Sequence, residues 1–145
     1  MKKIFTILAI ITLAAVACKA DGIKQQITID QLPAAGAKFL KKYFVSQTPS
    51  YIIKETKIGR AEYEIYYPTG VEVELDHNGD WKKVDGHGNV IPGGFYPAGI
   101  DSAINTSFPG VKIQQIEKKY WGYEVELING MDLKFNQSLQ MTIDD

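Results

Sequence analysis

The residues whose types could support metal chemistry lie in a turn-rich segment near the middle of the chain. Asp76, Asn78 and Asp80 place oxygen donors at alternate positions, as in the first half of a calcium-binding loop. The pattern then fails, because the sixth position is Trp81 instead of glycine and the twelfth is His87 instead of glutamate. The Asn-Gly pair inside the segment is typical of a tight hairpin turn. The sequence therefore predicts a turn here and no metal site.

The two histidines and the glycines beside them give no other cofactor signature. His77 and His87 lie in predicted turns near aspartates, which could make only a weak metal site, and we interpret both as solvated loop side chains. Gly86-His87-Gly88 lacks the strand-to-helix context and the third glycine of a dinucleotide-binding loop. We therefore expect no metal and no cofactor.

Catalytic motifs are also missing from the sequence. There is no Gly-x-Ser-x-Gly elbow and no His-Glu-x-x-His motif. Glu72 and Glu74 are paired carboxylates on one strand face, as a glycosidase would need, but alternating acids are more typical of a solvated sheet face. The sequence predicts that the protein is not an enzyme.

The first twenty residues have the layout of a secretory signal peptide. Met1-Lys2-Lys3 is basic, and Ile4 to Val16 is uncharged and mostly apolar. This run spans about 20 Å as a helix, short of the roughly 30 Å hydrocarbon core of a membrane. We therefore predict cleavage and export, with no transmembrane helix in the mature chain.

The only cysteine, Cys18, directly follows Ala15-Val16-Ala17. This order predicts a lipobox, in which residues 1–17 are removed and Cys18 becomes the acylated first residue of a lipoprotein. The alternative is cleavage after Ala20, which releases a soluble protein. A single cysteine has no partner for an internal disulfide, which favours lipidation. Both alternatives place the mature chain in the periplasm or cell envelope.

Composition excludes one class of partner. With 16 basic and 17 acidic residues the net charge is -1, so the chain has no basic footprint for nucleic acid. Hydrophobic residues make up 45% of the chain, which is typical of a globular protein.

The elements that must position any functional residue form an internal repeat. An alternating hairpin at 63–76 is matched 60 positions later by one at 123–136, and each is preceded by an amphipathic helix pattern. Strands are predicted at Tyr51–Lys57, Ala61–Tyr67, Val71–Asp76 and Trp81–Asp85. The predicted fold is α+β, a tandem repeat of one helix plus a four-stranded antiparallel sheet, with the helices on one sheet face and the other face exposed. The predicted divisions are a tether at 18–29, a first repeat with its linker at 30–94, and a second repeat at 95–145.

Several of these motifs resemble the PepSY-like family of exported bacterial proteins, described as β-lactamase-inhibitor-like. They are Leu32-Pro33-Ala34 before a helix ending in Phe44, the Tyr-Glu hairpin, the segment 76–85 with its tryptophan, and the second copy from Tyr96-Pro97 to Phe108-Pro109. The resemblance covers roughly residues 28 to 145. It implies a tandem helix-and-sheet fold, secretion, and a role in binding or inhibiting another protein.

The candidate binding residues lie on the predicted open face of the first hairpin. Strand alternation points Glu64, Tyr66, Glu72 and Glu74 away from the core. The repeat alignment matches Val84 with a core position, Ile143, and so places Trp81 and Lys83 on the open face too. An exposed tryptophan and tyrosine among charges are typical of a recognition surface. The alternative is that Trp81 covers the sheet edge or packs under the linker at 86–94.

We therefore predict a non-enzymatic exported protein whose first hairpin binds an unknown envelope or extracellular protein. If that protein is an enzyme, we expect inhibition by steric occlusion. Two alternatives remain. One is a carrier of a small ligand, a peptide or a glycan, in a groove between the repeats. The other is a structural envelope lipoprotein. An exposed Trp81–Tyr66 patch would favour protein binding, and a deep apolar pocket would favour a carrier.

Overall fold

The computed structural model describes residues 22–144, so the predicted signal peptide and Cys18 lie outside the described residues. Within this range the chain forms nine strands, two α-helices and a short 3-10 helix at Ile29–Gln31. The helices are α1 (Ala34–Tyr43) and α2 (Ala98–Ser107). The strands are β1 (Ile23–Ile27), β2 (Tyr51–Lys57), β3 (Arg60–Tyr66), β4 (Glu72–Leu75), β5 (Trp81–Asp85), β6 (Ile113–Lys119), β7 (Gly122–Leu127), β8 (Asp132–Asn136) and β9 (Met141–Ile143).

All nine strands belong to one antiparallel sheet, in sequence order from β1 to β9. The predicted tandem repeat of one helix plus a four-stranded antiparallel sheet is therefore wrong. Strands β5 and β6 join the two halves, with Val84 opposite Ile116 and Lys83 opposite Glu117. Alternation along a strand shows which side chains lie on the same face of the sheet. It does not show whether the edge strands of the two halves pair with each other. Pairing satisfies the backbone N–H and C=O groups that separate edges would expose.

The N-terminal edge of the sheet also differs from the prediction. Residues 18–29 were predicted to be a tether, but Ile23–Ile27 forms β1 and pairs along its whole length with β2. Only Ile27 of this strand is buried. An edge strand with one buried residue and the polar run Lys24-Gln25-Gln26 gives no hydrophobic alternation, and so the strand has no sequence signature.

Both helices pack on the sheet face that carries the apolar side chains. Leu40 of α1 and Ile104 of α2 belong to the same buried cluster as Ile65 and Val73. The start of α1 lies close to the turn between β4 and β5, where a Cβ on Gly79 would come within 2.6 Å of the Gly36 nitrogen. Gly79 also has a φ of +87°, so two separate constraints require glycine there.

Two β-bulges change the alternation in the central strands. Leu75 pairs with Trp81 and Glu74 pairs with Lys83, which leaves Lys82 as an extra residue in β5. A similar irregularity occurs in β6 between Ile113 and Gln115. Because a bulge inserts one extra residue, the side chains beyond it lie on the opposite face from the one that simple alternation predicts.

No helix within residues 22–144 is long and apolar enough to cross a membrane.

Candidate interaction surface

The sheet face opposite the helices is strongly acidic. In β3, Glu62, Glu64 and Tyr66 alternate with the buried Tyr63 and Ile65, and the register extends this alternation across the neighbouring strands. No helix among residues 22–144 packs on this side. We call it the acidic face, and every glutamate of the chain lies on it. It comprises Lys24, Tyr51, Ile53, Glu55, Glu62, Glu64, Tyr66, Glu72, Glu74, Lys83, Asp85, Glu117, Lys119, Glu124, Glu126, Asp132 and Lys134.

Carboxylates on this face repeatedly lie directly opposite one another on neighbouring strands. Like charges in this position destabilise a sheet, by roughly 0.2–1 kcal/mol each. The opposed carboxylates therefore lower the stability of the folded protein, and folding itself does not require them. The opposed pairs are Glu55 with Glu62, Glu64 with Glu74, Glu72 with Asp85, Glu117 with Glu124, and Glu126 with Asp132.

Lysines relieve some of these pairs. Lys119 bridges one of them, with its Nζ 2.9 Å from Glu117 and 3.3 Å from Glu124. Lys82, the bulge residue of β5, places its Nζ 2.8 Å from Glu62. Both bridges are partly solvated, so each contributes little. The neutralisation of the face is therefore incomplete.

The first hairpin holds a tyrosine pair beside these acids. The Tyr66 ring stacks on Tyr51 with centroids 4.6 Å apart, and the Tyr66 hydroxyl donates to Glu64 Oε2 at 2.8 Å. Burial and this hydrogen bond raise the pKa of Tyr66 well above its usual range. Burial also raises the pKa of Glu74, although Lys83 partly offsets the effect. Tyr66, Glu64, Glu74 and Lys83 are thus brought together as predicted from the sequence.

His87 contacts two of the opposed carboxylates. Its Nε2 lies 3.3 Å from Glu72 Oε2 and its Nδ1 lies 3.6 Å from Asp85 Oδ1. Its backbone N–H also donates to Asp85 Oδ1 at 2.8 Å, which holds the loop in place. We interpreted this histidine from the sequence as a solvated loop residue, and its side chain is half exposed. Its contact with Glu72 has no local sequence signal, because the two residues meet only through the pairing of β4 with β5.

The acidic face has a shallow depression over β7 and β8. Its volume is about 230 Å³, and its wall includes four carboxylates. Lys134 Nζ lies 2.7 Å from Asp144 Oδ2, and Gln114 Nε2 donates to Glu126 Oε1 at 2.7 Å. A depression of this composition suits a cationic side chain. The acidic residues that line it are Glu124, Glu126, Asp132 and Asp144.

Trp81 does not lie on the acidic face, and the prediction that it does is wrong. It is 7% exposed and packs on the helix side, against Phe95 at 5.0 Å and Tyr123 at 6.3 Å between ring centroids. Lys118 Nζ lies 4.1 Å from the centre of its ring. The bulge at Lys82 is the reason, because it places Trp81 on the same face as Val84. Trp81 is a core residue that joins the linker to the sheet.

Two further residues, on the neighbouring strands, differ from the sequence analysis. Ile143, which the repeat alignment treated as a core residue, is 54% exposed on the edge strand β9. Tyr51 was absent from the predicted surface, although the register places it opposite Tyr66. Strand alternation from the buried Ile52 could have found it.

The segment resembling a calcium loop forms the turn between β4 and β5. Asp76 Oδ1 accepts hydrogen bonds from the backbone N–H groups of Asn78 at 2.8 Å and Asp80 at 3.0 Å. That carboxylate oxygen therefore stabilises the turn itself.

An open cavity of about 350 Å³ lies on the helix side, between the linker and α2. Ile91, Ile104 and Ile113 contribute its apolar wall, and Asp101 and Lys112 contribute polar groups. A carrier would need a largely apolar, enclosing site. This cavity has the size of a small-ligand site but a mixed lining.

The fold and the surface define a class: a helix-covered antiparallel sheet whose opposite face is exposed and acidic. A family model described as "Putative beta-lactamase-inhibitor-like, PepSY-like" matches residues 61–142. The chain belongs to this PepSY-like family, and the resemblance noted in the sequence is confirmed.

Solved structures with the same fold come from periplasmic proteins of Bacteroides. A "putative calcium-regulated periplasmic protein" from Bacteroides thetaiotaomicron is 29% identical, with a TM-score of 0.79 over 84% of this chain and 97% of that chain. A "putative periplasmic protein" from Bacteroides vulgatus is 28% identical, with the same score and coverage. A second protein from Bacteroides vulgatus, described as of unknown function, is 26% identical, with a TM-score of 0.77 over 84% of this chain and 99% of that one. None of the curated proteins matches the sequence.

Proposed function

We propose that this protein is an exported, non-enzymatic binding protein whose acidic face binds a positively charged surface of an envelope or extracellular protein. The observation that carries the proposal is the set of carboxylates that oppose one another across the strands. Stability alone would favour lysine or threonine at one member of each pair. The presence of several such pairs on one face is explained if a cationic partner binds there.

The favourable electrostatic energy of binding comes from carboxylates whose negative charge is only partly neutralised by nearby lysines. A partner lysine or arginine placed over Glu64 and Glu74, or over Glu126 and Asp132, would lie near two carboxylates at once. Complementary charge of this kind increases the association rate and specificity more than it increases affinity. The depression over β7 and β8 accepts a side chain of this type. Both hairpins therefore contribute, although the sequence favoured only the first.

The position of the charges supports one binding face rather than a general charge effect. The net charge of the chain is only -1, yet all its glutamates lie on one side of the sheet. Lys38, Lys41 and Lys42 belong to α1, which covers the opposite side. The acidic face therefore carries an excess of negative charge that the helix side lacks, and this difference would orient an approaching partner.

A pull-down from an envelope extract tests this proposal. The double variant Glu74→Gln, Glu126→Gln removes one charge from each half of the acidic face. The control Asp30→Asn, Asp80→Asn removes two exposed charges away from that face. Basic proteins should be retained by the native chain and the control, released by added salt, and lost with the face variant. Equal retention by a folded face variant would contradict the proposal.

Export and anchoring are part of the same proposal. The periplasmic descriptions of the related structures support a location outside the cytoplasm. We propose that residues 1–17 are a signal peptide and that Cys18 is acylated. Radiolabelled palmitate should be incorporated into the native chain and lost in Cys18→Ser. Incorporation that persists in the variant would exclude the lipoprotein form.

A further inference from the structure

The turn between β2 and β3 carries an isoleucine in an unfavourable position. Ile58 is 104% exposed, and its φ is +47°. Ile58 and Gly59 are the two residues of a tight turn, in which asparagine or glycine would adopt positive φ with less strain. A β-branched residue here gains no packing and strains the backbone. Such a position is better explained by a contact outside the chain than by folding.

This turn lies beside the point at which the chain enters the sheet. Ile23, 78% exposed, is the first residue of β1 and pairs with Thr56, two positions before Ile58. A Cβ on Gly22 would meet the Lys57 side chain at 2.6 Å. Only four steps of chain separate Gly22 from Cys18, a reach of at most about 14 Å. A lipid on Cys18 would hold this end of the sheet close to the membrane surface.

Charge at the turn suits a bilayer with anionic lipids. Lys57 and Arg60 flank Ile58 and Gly59 in the sequence, and Lys57 Nζ also lies 3.1 Å from Glu55 Oε1. The combination of an apolar tip with basic flanks is typical of segments that rest on a membrane interface.

The turn between β6 and β7 places a second exposed apolar side chain at the same end of the sheet. Tyr120, 92% exposed, follows Lys118 and Lys119. In an antiparallel sheet in sequence order, this turn and the one at Ile58 lie at the same end. Four strand spacings separate them, about 19 Å. Two exposed apolar side chains therefore lie at one end of the sheet, although the lysines before Tyr120 contact Trp81, Glu117 and Glu124.

We propose that this end of the sheet docks on a lipid bilayer, with Ile58 and Tyr120 at the depth of the lipid headgroups. The inference goes beyond the acidic face and depends on the proposed lipid anchor only for its tether. One or two apolar side chains bind membranes weakly, so a short tether is needed to give them a high effective concentration. Docking at this end would orient the strands roughly perpendicular to the membrane plane. The acidic face would then remain accessible to a partner protein.

The test replaces the biological anchor, so that it does not depend on whether Cys18 is acylated. Residues 1–17 are replaced by a hexahistidine tag, and Cys18→Ser removes the native thiol. Vesicles of phosphatidylethanolamine, phosphatidylglycerol and a nickel-chelating lipid capture the chain. Ile58→Cys, Tyr120→Cys or Val45→Cys then provides the single thiol for an environment-sensitive fluorophore. Val45 is the matched control, because it is 76% exposed but follows α1 at the opposite end of the sheet.

On capture, we expect a blue shift of emission at positions 58 and 120, quenching there by spin-labelled lipid, and neither effect at position 45. No shift at position 58, or equal shifts at 58 and 45, would overturn the proposal. A shift at 58 that appears only when envelope proteins are added would also overturn it, in favour of a protein contact. All three positions are highly exposed, so the substitutions should leave the fold intact. Failure of this test would leave the pull-down with the acidic-face variant unaffected, and the reverse also holds.

Discussion

Replacing Glu74 by glutamine should stabilise the protein, because it removes a charge from a crowded part of the acidic face. Glu74 lies opposite Glu64 on β3 and opposite Lys83 on β5. Burial raises the pKa of the Glu74 carboxyl, Lys83 lowers it, and the charges of Glu72 and Glu117 raise it further. The net direction is upward, so the ionised form is disfavoured in the folded protein.

The sign of the pH dependence follows from this shift. A carboxyl whose pKa is higher in the folded state than its value of 4.5 when unfolded binds its proton more tightly in the folded state. Stability therefore falls as the pH rises from about 4.5 through the folded pKa, and it remains lower at neutrality. Glutamine cannot ionise, so Glu74→Gln lacks this loss.

The magnitude can be worked from the strand geometry. Directly opposed side chains have Cβ atoms about 4.5–5.5 Å apart, and two like charges at a separation of about 6 Å repel by roughly 0.7–1.4 kcal/mol at effective dielectric constants of about 80 to 40. Lys83 on the other side offsets part of this, which leaves a gain of about 0.5–1 kcal/mol for Glu74→Gln. For a domain of this size, the gain corresponds to an increase in Tm of about 2–4 °C.

Thermal unfolding followed by circular dichroism checks this prediction at neutrality and at about pH 4, where the difference should shrink. The comparison variant is Glu62→Gln, which loses the 2.8 Å bridge to Lys82 and also the opposition to Glu55. Because these two effects have opposite signs, stability should change by less than about 1 kcal/mol. A Glu74→Gln variant less stable than the native chain at neutrality would refute the reasoning. So would a gain that is the same at both pH values.

Three further predictions concern the core and the turns. Trp81→Ala should reduce the free energy of unfolding by about 3–5 kcal/mol in urea titrations, because it empties a packed aromatic site; a loss below about 1 kcal/mol would mean that the residue is exposed after all. Gly79→Ala should cost clearly more than Gly59→Ala in the same assay, since both have positive φ but only the first would collide with Gly36; equal losses would argue against close packing of α1 on the turn. Ile58→Asn should raise stability by up to about 1 kcal/mol through relief of backbone strain while it weakens docking on tethered vesicles; a less stable variant would contradict the strain argument.

The sequence predicted individual elements well because their signals are local. The bounds of β2 agree with the predicted Tyr51–Lys57, and the structure has a helix before each hairpin, where the apolar spacing is helical. Alternation also placed Glu64, Tyr66, Glu72 and Glu74 on the open face correctly. The failures lay where alternation is interrupted. The bulge at Lys82 reversed the predicted face of Trp81, and β1 has too little apolar alternation to be recognised.

By itself, the sequence determined the secondary structure elements, the family, and the separation of buried from solvated residues within each strand, because these follow from periodicities of two and 3.6 residues. Only the tertiary structure decided that the halves join through β5 and β6 into one sheet, since pairing between edges depends on backbone groups that every sequence carries. It also decided that the carboxylates of neighbouring strands oppose one another. A register that connects residues ten or more positions apart sets these oppositions, and it turns a nearly neutral chain into a protein with one acidic face.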